Sequence, residues 1–125
     1  MIEKIVVHCS DSPHGRGDDA QAIHRWHTER GWSGIGYHWV ICEDGELQQG
    51  RPWYWQGAHV RGHNSLSLGI CLIGRDDFTG EQIHALRELY KDLCRRWPQA
   101  KWFNHYDLDS GKTCPNFDAV ALLTE

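Results

Sequence analysis

The residues best suited to chemistry stand near the two ends of the chain. His8 follows an apolar run close to the N-terminus, and a short polar stretch near the C-terminus joins His105 to Cys114. Imidazole nitrogens and thiolate sulfur are good ligands for zinc, whereas magnesium and calcium prefer oxygen. Three protein ligands leave a fourth coordination position for water, which is typical of a catalytic zinc site. The three residues therefore indicate a hydrolase with one zinc ion per chain.

The pairing of His105 with Cys114 is weak evidence by itself, because the chain contains nine histidines and chance spacings are common. Gly111 and Pro115 strengthen the pairing, since both favour a fixed turn that can present the two side chains to one point. Lys112 lies in the same turn. It is either a solvated loop lysine or the cation that stabilises the negative oxygen formed when a carbonyl is attacked.

Tyr37 stands at the start of a predicted strand, directly after Gly34-Ile35-Gly36. It is either a core residue or a group whose hydroxyl orients or deprotonates the attacking water. Side chains alternate between the two faces of a strand, so the neighbouring His38 should point away from Tyr37 into the core. For the same reason we do not expect Cys9 to be a ligand beside His8.

The composition indicates one globular domain over residues 1–125. The chain is 40% hydrophobic and 24% charged, which is typical of a folded domain with its own core and excludes disordered, collagen-like and membrane classes. The formal net charge is −4, and the basic residues are scattered apart from Arg95-Arg96. No nucleic-acid partner is therefore expected, and we expect a monomer.

Cysteine and tryptophan usage adds two expectations. The five cysteines include no Cys-x-x-Cys pair, and no apolar signal region precedes the first predicted strand. We therefore expect folding in a reducing cytoplasm with free thiols, and buried packing for Cys42, Cys71 and Cys94. Trp53 and Trp55 lie in a predicted loop, where they either stack on sugars or peptides or fill the core.

Strands and helices are predicted to alternate along the chain. The first strand covers residues 4–10, and an aspartate at position 18 or 19 caps a helix that runs to about residue 30. Residues 37–43 and 46–50 flank Asp44-Gly45, a dipeptide that favours a two-residue hairpin.

The second half of the chain continues this alternation. A long aromatic loop over residues 51–66 leads to a buried strand over residues 68–73. Thr79 and Gln82 form a capping box for a helix that ends before Pro98. A short strand then delivers His105, and residues 117–123 form terminal helical turns. This order predicts an α/β (α+β) fold, a single domain with a central mixed β-sheet flanked by helices.

Six segments of the chain carry a family resemblance: Ile5–Ser10, Trp26–Trp32, Gly36–Trp39, Gly57–His59, Ser67–Gly74 and Lys112–Asp118. Together they resemble the zinc-dependent N-acetylmuramoyl-L-alanine amidases, a family that includes small phage lysozymes and the peptidoglycan recognition proteins. The segments stand in the family's order and cover nearly the whole chain. The resemblance is therefore far more specific than any one motif.

The resemblance implies a function for each candidate residue. His8, His105 and Cys114 would bind zinc, with Tyr37 and Lys112 as the catalytic pair beside the metal. It also implies three residues that line a groove for the muropeptide: His59, His27 and Asn64. For these three, a hydrogen-bonded or packed structural role is the alternative.

The implied activity is zinc-dependent hydrolysis of the amide bond between N-acetylmuramic acid and L-alanine of peptidoglycan, in a phage or prophage endolysin. The alternatives are a non-catalytic muropeptide-binding module and, by analogy with phage members, an inhibitor of an RNA polymerase. The complete ligand set favours the enzyme, and the N-terminal segment that some phage members use to bind a polymerase is expected to be missing. We expect synthesis in the cytoplasm without a signal peptide and action on the cell wall after release or non-classical export. A secreted effector or a wall-recycling amidase would carry the same residues.

Overall fold

A five-stranded mixed β-sheet organises the protein, which a computed structural model describes over residues 1–125. The strands are β1 (Lys4–Cys9), β2 (Trp39–Ile41), β3 (Leu47–Gln49), β4 (Ser67–Leu72) and β5 (Lys101–Asn104). The helices are α1 (Ala20–Glu29), α2 (Gly80–Arg96), α3 (His105–Leu108) and α4 (Ala119–Thr124). The predicted interleaving of strands and helices is confirmed.

The strands lie in the order β3-β2-β4-β1-β5 across the sheet. Strands β2, β4, β1 and β5 run parallel, and only β3, at one edge, is antiparallel to its neighbour. Parallel strands finish at the same side of a sheet, which we call the carboxyl edge. Residues at the ends of β1 and β5 are therefore neighbours in space, although about a hundred positions separate them in the chain.

Helices cover both faces of the sheet. On one face, Ile5 of β1 packs in a cluster with Leu86 of α2 and Ala119 of α4. On the other face, Cys71 of β4 packs in a cluster with Ile23 of α1. Strands β1 and β4 are almost continuously buried, because a parallel strand covered on both faces has no solvated side.

Both long helices begin where the sequence predicts. Asp19 caps α1 by accepting a hydrogen bond from the backbone N–H of Ala22 at 2.9 Å, and Thr79 forms the predicted capping box with Gln82 at the start of α2. The single turn of α3 was not predicted, because its four residues are too few to show a helical period.

The hairpin between β2 and β3 differs from its prediction. Three residues, Glu43–Gly45, connect the paired positions Cys42 and Glu46, so the prediction of a two-residue turn is wrong. The backbone N–H of Cys42 donates to the carbonyl of Glu46 at 2.9 Å, and Gly45 adopts a positive φ of 89°. Three-residue hairpin loops commonly end on a residue in this left-handed conformation, which glycine adopts without strain.

Gln82 links α2 to the sheet. Its side chain is fully buried, and its Nε2 donates to the carbonyl oxygens of Ile73 at 2.8 Å and Ile41 at 3.3 Å. Its Oε1 accepts a hydrogen bond from the backbone N–H of Thr79 at 2.9 Å. One side chain therefore satisfies backbone groups that follow β4, end β2 and precede α2.

Replacing Gln82 by leucine should lower the free energy of unfolding by about 2 to 4 kcal/mol, because each buried backbone group left without a partner costs roughly 1 to 3 kcal/mol. Gln99→Leu, at an exposed glutamine, is the matched control and should change stability by less than about 0.5 kcal/mol. Urea denaturation measures both variants. A loss in Gln82→Leu no larger than in the control would show that these hydrogen bonds do not stabilise the fold.

Candidate metal centre and its cleft

The parallel pairing of β1 with β5 brings two histidines together. Val7 stands opposite Asn104 in the register, so the next residue of each segment, His8 and His105, lies at the carboxyl edge. Their Nδ1 atoms are 3.1 Å apart. His8 is buried in the sheet, whereas His105 is partly exposed and borders solvent.

Cys114 reaches the same point from the segment that follows α3. The backbone N–H of Cys9 donates to Cys114 Sγ at 2.9 Å, and the backbone N–H of Tyr106 donates to the Cys114 carbonyl at 3.0 Å. One ligand atom from each of His8, His105 and Cys114 lies within 4.8 Å of the others. The structure thus brings together the three predicted ligands, and Cys9 is not part of the group.

Asn104 fixes the segment that carries His105. Its buried side chain donates through Nδ2 to Asp107 Oδ2 at 3.2 Å and to Asp118 Oδ1 at 3.0 Å. Its Oδ1 accepts from the backbone N–H of Ala119 at 2.8 Å. One amide therefore joins the end of β5 to the starts of α3 and α4. Nothing in the sequence marks Asn104 except its place directly before a predicted ligand.

Burial keeps both imidazoles of the triad neutral, whereas the thiol needs a nearby cation to lose its proton. Burial, with smaller contributions from His59 and His105, holds the pKa of His8 well below its ordinary value, so its imidazole is neutral and has a lone pair to share. A hydrogen bond with the Cys9 side chain, followed by burial, raises the pKa of the Cys114 thiol. A positive charge is then needed to hold this sulfur as thiolate at neutral pH. Two neutral nitrogens and one sulfur fit zinc better than magnesium or calcium.

A cleft of about 350 Å³ opens beside the triad, and both predicted catalytic residues line it. The ring centroid of Tyr37 lies 5.0 Å from that of His8. Burial raises the pKa of the Tyr37 hydroxyl well above its ordinary value, so this group keeps its proton at neutral pH. Lys112 is exposed and forms no ion pair within the chain. Its charge is therefore available to the cleft.

Arg30 and Asn116 are among the cleft residues that were not predicted. Arg30 follows α1 and adds a second positive charge to the lining, and Asn116 donates through Nδ2 to Cys9 Sγ at 3.7 Å. Both stand in segments that carry the family resemblance, Trp26–Trp32 and Lys112–Asp118. That placement was the one signal in the sequence that could have identified them.

The three predicted groove residues do not line the cleft. The buried ring of His27 accepts at Nδ1 from the backbone N–H of Gly36 at 2.9 Å. Asn64 Oδ1 accepts from two successive backbone N–H groups, beginning with that of His59, at 2.8 and 2.9 Å. The ring of His59 is hydrogen-bonded to His8. Each residue therefore has a structural task, and its contact with substrate stays a prediction.

The tryptophans of the aromatic loop lie near the amino-terminal end of β1, away from the triad. Trp53 and Trp55 are 39% and 60% exposed and border a pocket shared with Met1 and Ile2, next to the start of β1. These tryptophans are surface residues, so the core-filling alternative is wrong for them.

His38 is fully buried as predicted and bonds through Nε2 to the carbonyl of Trp55 at 2.8 Å. All five cysteines are unpaired in the structure.

Fold and site together define a class of protein: a mixed sheet covered by helices on both faces, with a His-His-Cys triad at its carboxyl edge that is able to bind a metal ion. Residues 1–117 match the N-acetylmuramoyl-L-alanine amidase family, and the chain belongs to it.

Individual relatives agree with this assignment. An endolysin of Klebsiella phage KP32 is 38% identical over 123 residues, which cover 92% of this chain and 81% of the phage protein. The solved structure of the N-acetylmuramoyl-L-alanine amidase LysC from Clostridium intestinale URNW superposes with a TM-score of 0.86 at 30% identity, covering 98% of this chain and 85% of LysC. Drosophila PGRP-LB gives a TM-score of 0.85 at 25% identity, covering 99% of this chain and 80% of its own. The predicted family and fold are confirmed.

Proposed function

We propose that this chain hydrolyses the amide bond between N-acetylmuramic acid and L-alanine of peptidoglycan, as a single amidase domain over residues 1–125. The observation that carries the proposal is the triad, whose ligand atoms lie within 4.8 Å of one another beside a cleft that also holds Tyr37 and Lys112. Membership of the amidase family and the phage relatives support the same activity. The relatives favour an endolysin that acts on the cell wall after release. No helix is long and apolar enough to span a membrane.

One zinc ion per chain, held by His8, His105 and Cys114, is the cofactor that the donor chemistry favours. Two imidazole nitrogens and one thiolate are common zinc ligands, and a three-ligand set is typical of catalytic rather than structural sites. When bound, zinc supplies Lewis acidity, which activates water and polarises a carbonyl oxygen. His105 and Cys114 both line the cleft, so a substrate amide that enters the cleft can reach the triad.

Lys112 and Tyr37 handle the charge and the proton that the reaction moves. As the amide carbonyl is attacked, negative charge develops on its oxygen, and the ammonium group of Lys112 stabilises that charge from the cleft wall. The hydroxyl of Tyr37 orients the attacking water from beside His8. The leaving amine needs a proton, and Tyr37, which lines the cleft, can relay to it the proton that the attacking water gives up.

A muropeptide-binding module without catalysis is the alternative from a different class. Such a module needs the cleft but has no need for a complete set of metal ligands. Because His8, His105 and Cys114 converge here, the hypothesis of an enzyme is better supported than that of a binding module.

Cys114→Ser should lose both zinc and hydrolysis, since a neutral hydroxyl is a much poorer zinc ligand than a thiolate. Cys94→Ser is the matched control, because Cys94 lies on α2 outside the cleft and should not affect the metal. Zinc content of the purified proteins and turnover of a muropeptide are measured for both. A Cys114→Ser protein with full zinc and full turnover would exclude Cys114 from the site.

Tyr37→Phe and Lys112→Ala should each keep zinc but turn over substrate roughly a hundredfold more slowly or worse, because both groups act on the transition state. Lys91→Ala, at an exposed lysine of α2, controls for the loss of one positive charge. Steady-state kinetics separate kcat from KM. If a variant shows only a raised KM with an unchanged kcat, its residue binds substrate and has no part in the chemistry.

The reaction product tests the proposed activity itself. Digestion of purified wall sacculi should release free amino groups of L-alanine and leave the glycan strands without new reducing ends. The reason is that the triad, Tyr37 and Lys112 suit the attack of water on an amide carbonyl. Glycosidases instead usually place two carboxylates across the scissile bond. New reducing ends, or new amino termini deeper in the stem peptide, would contradict the amidase. Binding to sacculi without any release would support the non-catalytic module.

A further inference from the structure

His59 occupies a position that the cleft does not explain. Its ring does not line the cleft and is only 9% exposed. Its Nδ1 lies 2.9 Å from His8 Nε2, and its Nε2 lies 3.3 Å from Ser67 Oγ. We propose that His59 is a positioning residue that fixes the tautomer and the ring orientation of His8 as a metal ligand. This inference rests on the metal site proposed above.

The position of the triad determines which ring nitrogens of His8 and His59 carry a proton. Nδ1 of His8 faces Nδ1 of His105 at 3.1 Å, so it is the nitrogen that meets the metal and it must carry a lone pair. The proton of the neutral His8 ring is then on Nε2, which donates to Nδ1 of His59. His59 must therefore carry its own proton on Nε2, and Ser67 accepts it. With a metal on Nδ1 of His8, this is the one arrangement of tautomers that satisfies all three residues.

The surrounding backbone leaves space for the imidazole of His59 and fixes its position. A Cβ added at Gly69 would lie 2.7 Å from Cγ of His59, and one added at Gly57 would lie 2.8 Å from its Cδ2. Two glycines therefore leave the space in which the ring reaches His8. Asn64 fixes the loop by accepting the backbone N–H of His59 at 2.8 Å. The ring is thus held in one orientation before any substrate arrives.

A residue that binds substrate would have different surroundings. It needs a polar atom that faces the cleft, whereas both ring nitrogens of His59 already have partners inside the protein. Metal-binding histidines usually donate their second N–H to an acceptor that fixes the ring, and carboxylates often serve as that acceptor. Here the acceptor is a neutral imidazole. It orients His8 without adding negative charge that would weaken the pull of the metal on a carbonyl oxygen.

Two substitutions test the role of His59. His59→Leu removes the acceptor at similar size, and we expect the zinc dissociation constant to rise roughly 10- to 100-fold, the usual cost of losing such a partner. His59→Asn keeps an acceptor, since its Oδ1 can take the place of Nδ1, and should bind zinc nearly as tightly as the wild type. Competition with a chromophoric chelator measures both constants. Wild-type zinc affinity in His59→Leu, or equal losses in both variants, would overturn the proposal, and a raised KM alone would identify a substrate contact.

A second test uses the wild-type protein and does not depend on whether the His59→Leu variant folds. Long-range ¹H–¹⁵N correlation spectra of the zinc-loaded protein, labelled on histidine, report which ring nitrogen carries each proton. We expect Nε2–H on both His8 and His59. If zinc binds and His59 carries its proton on Nδ1, the positioning role is wrong while the metal site stands. If the wild-type protein binds no zinc, the metal site fails, and with it the role of His59.

Discussion

Strands β1 and β5 run side by side in the same direction, and the site depends on this pairing. It places the ends of two distant segments at one edge of the sheet, where the Nδ1 atoms of His8 and His105 are 3.1 Å apart. The segment after α3 then has only a short distance to cover to bring Cys114 to the same point. A slip of one residue in β1 would turn His8 to the other face of the sheet. The core packing that fixes the register therefore fixes the position of the His-His-Cys triad as well.

Buried polar groups support all three residues of the triad. His59 contacts His8, the side chain of Asn104 secures the segment that begins with His105, and the backbone N–H of Cys9 donates to the sulfur of Cys114. Polar groups are costly to bury unless they are hydrogen-bonded, and these contacts satisfy them. The wall behind the ligands is consequently fixed, while the cleft in front of them, with the exposed Lys112, stays open to a large polymeric substrate.

Most of the strands and helices and the three residues of the triad could be predicted from the sequence, because the patterns that indicate them are local. The apolar run of β1, the helical period of α2 and the capping residue Asp19 all act within a few positions. The triad was accessible because imidazole and thiolate are good zinc ligands, and because six segments carried a family resemblance. The length of the hairpin loop was not accessible, since it depends on which residues of β2 and β3 pair.

The support of the ligands was also hidden from the sequence. His8 and His59 are 51 positions apart, and a hydrogen bond between them leaves no periodic signal. His59 was instead expected in the substrate groove, together with His27 and Asn64, and that contact stays a prediction for all three. Sequence reasoning thus identified the residues that converge at the triad and its cleft better than the residues that hold them in place.

X-ray absorption at the zinc edge tests the triad most directly, because it reports the ligands of the metal without reference to activity. The spectrum of the purified protein should show one sulfur at about 2.3 Å, two imidazole nitrogens at about 2.0 to 2.1 Å and one oxygen from solvent. A shell without sulfur, or one filled by four protein ligands, would contradict an open His-His-Cys site at the end of the parallel strands.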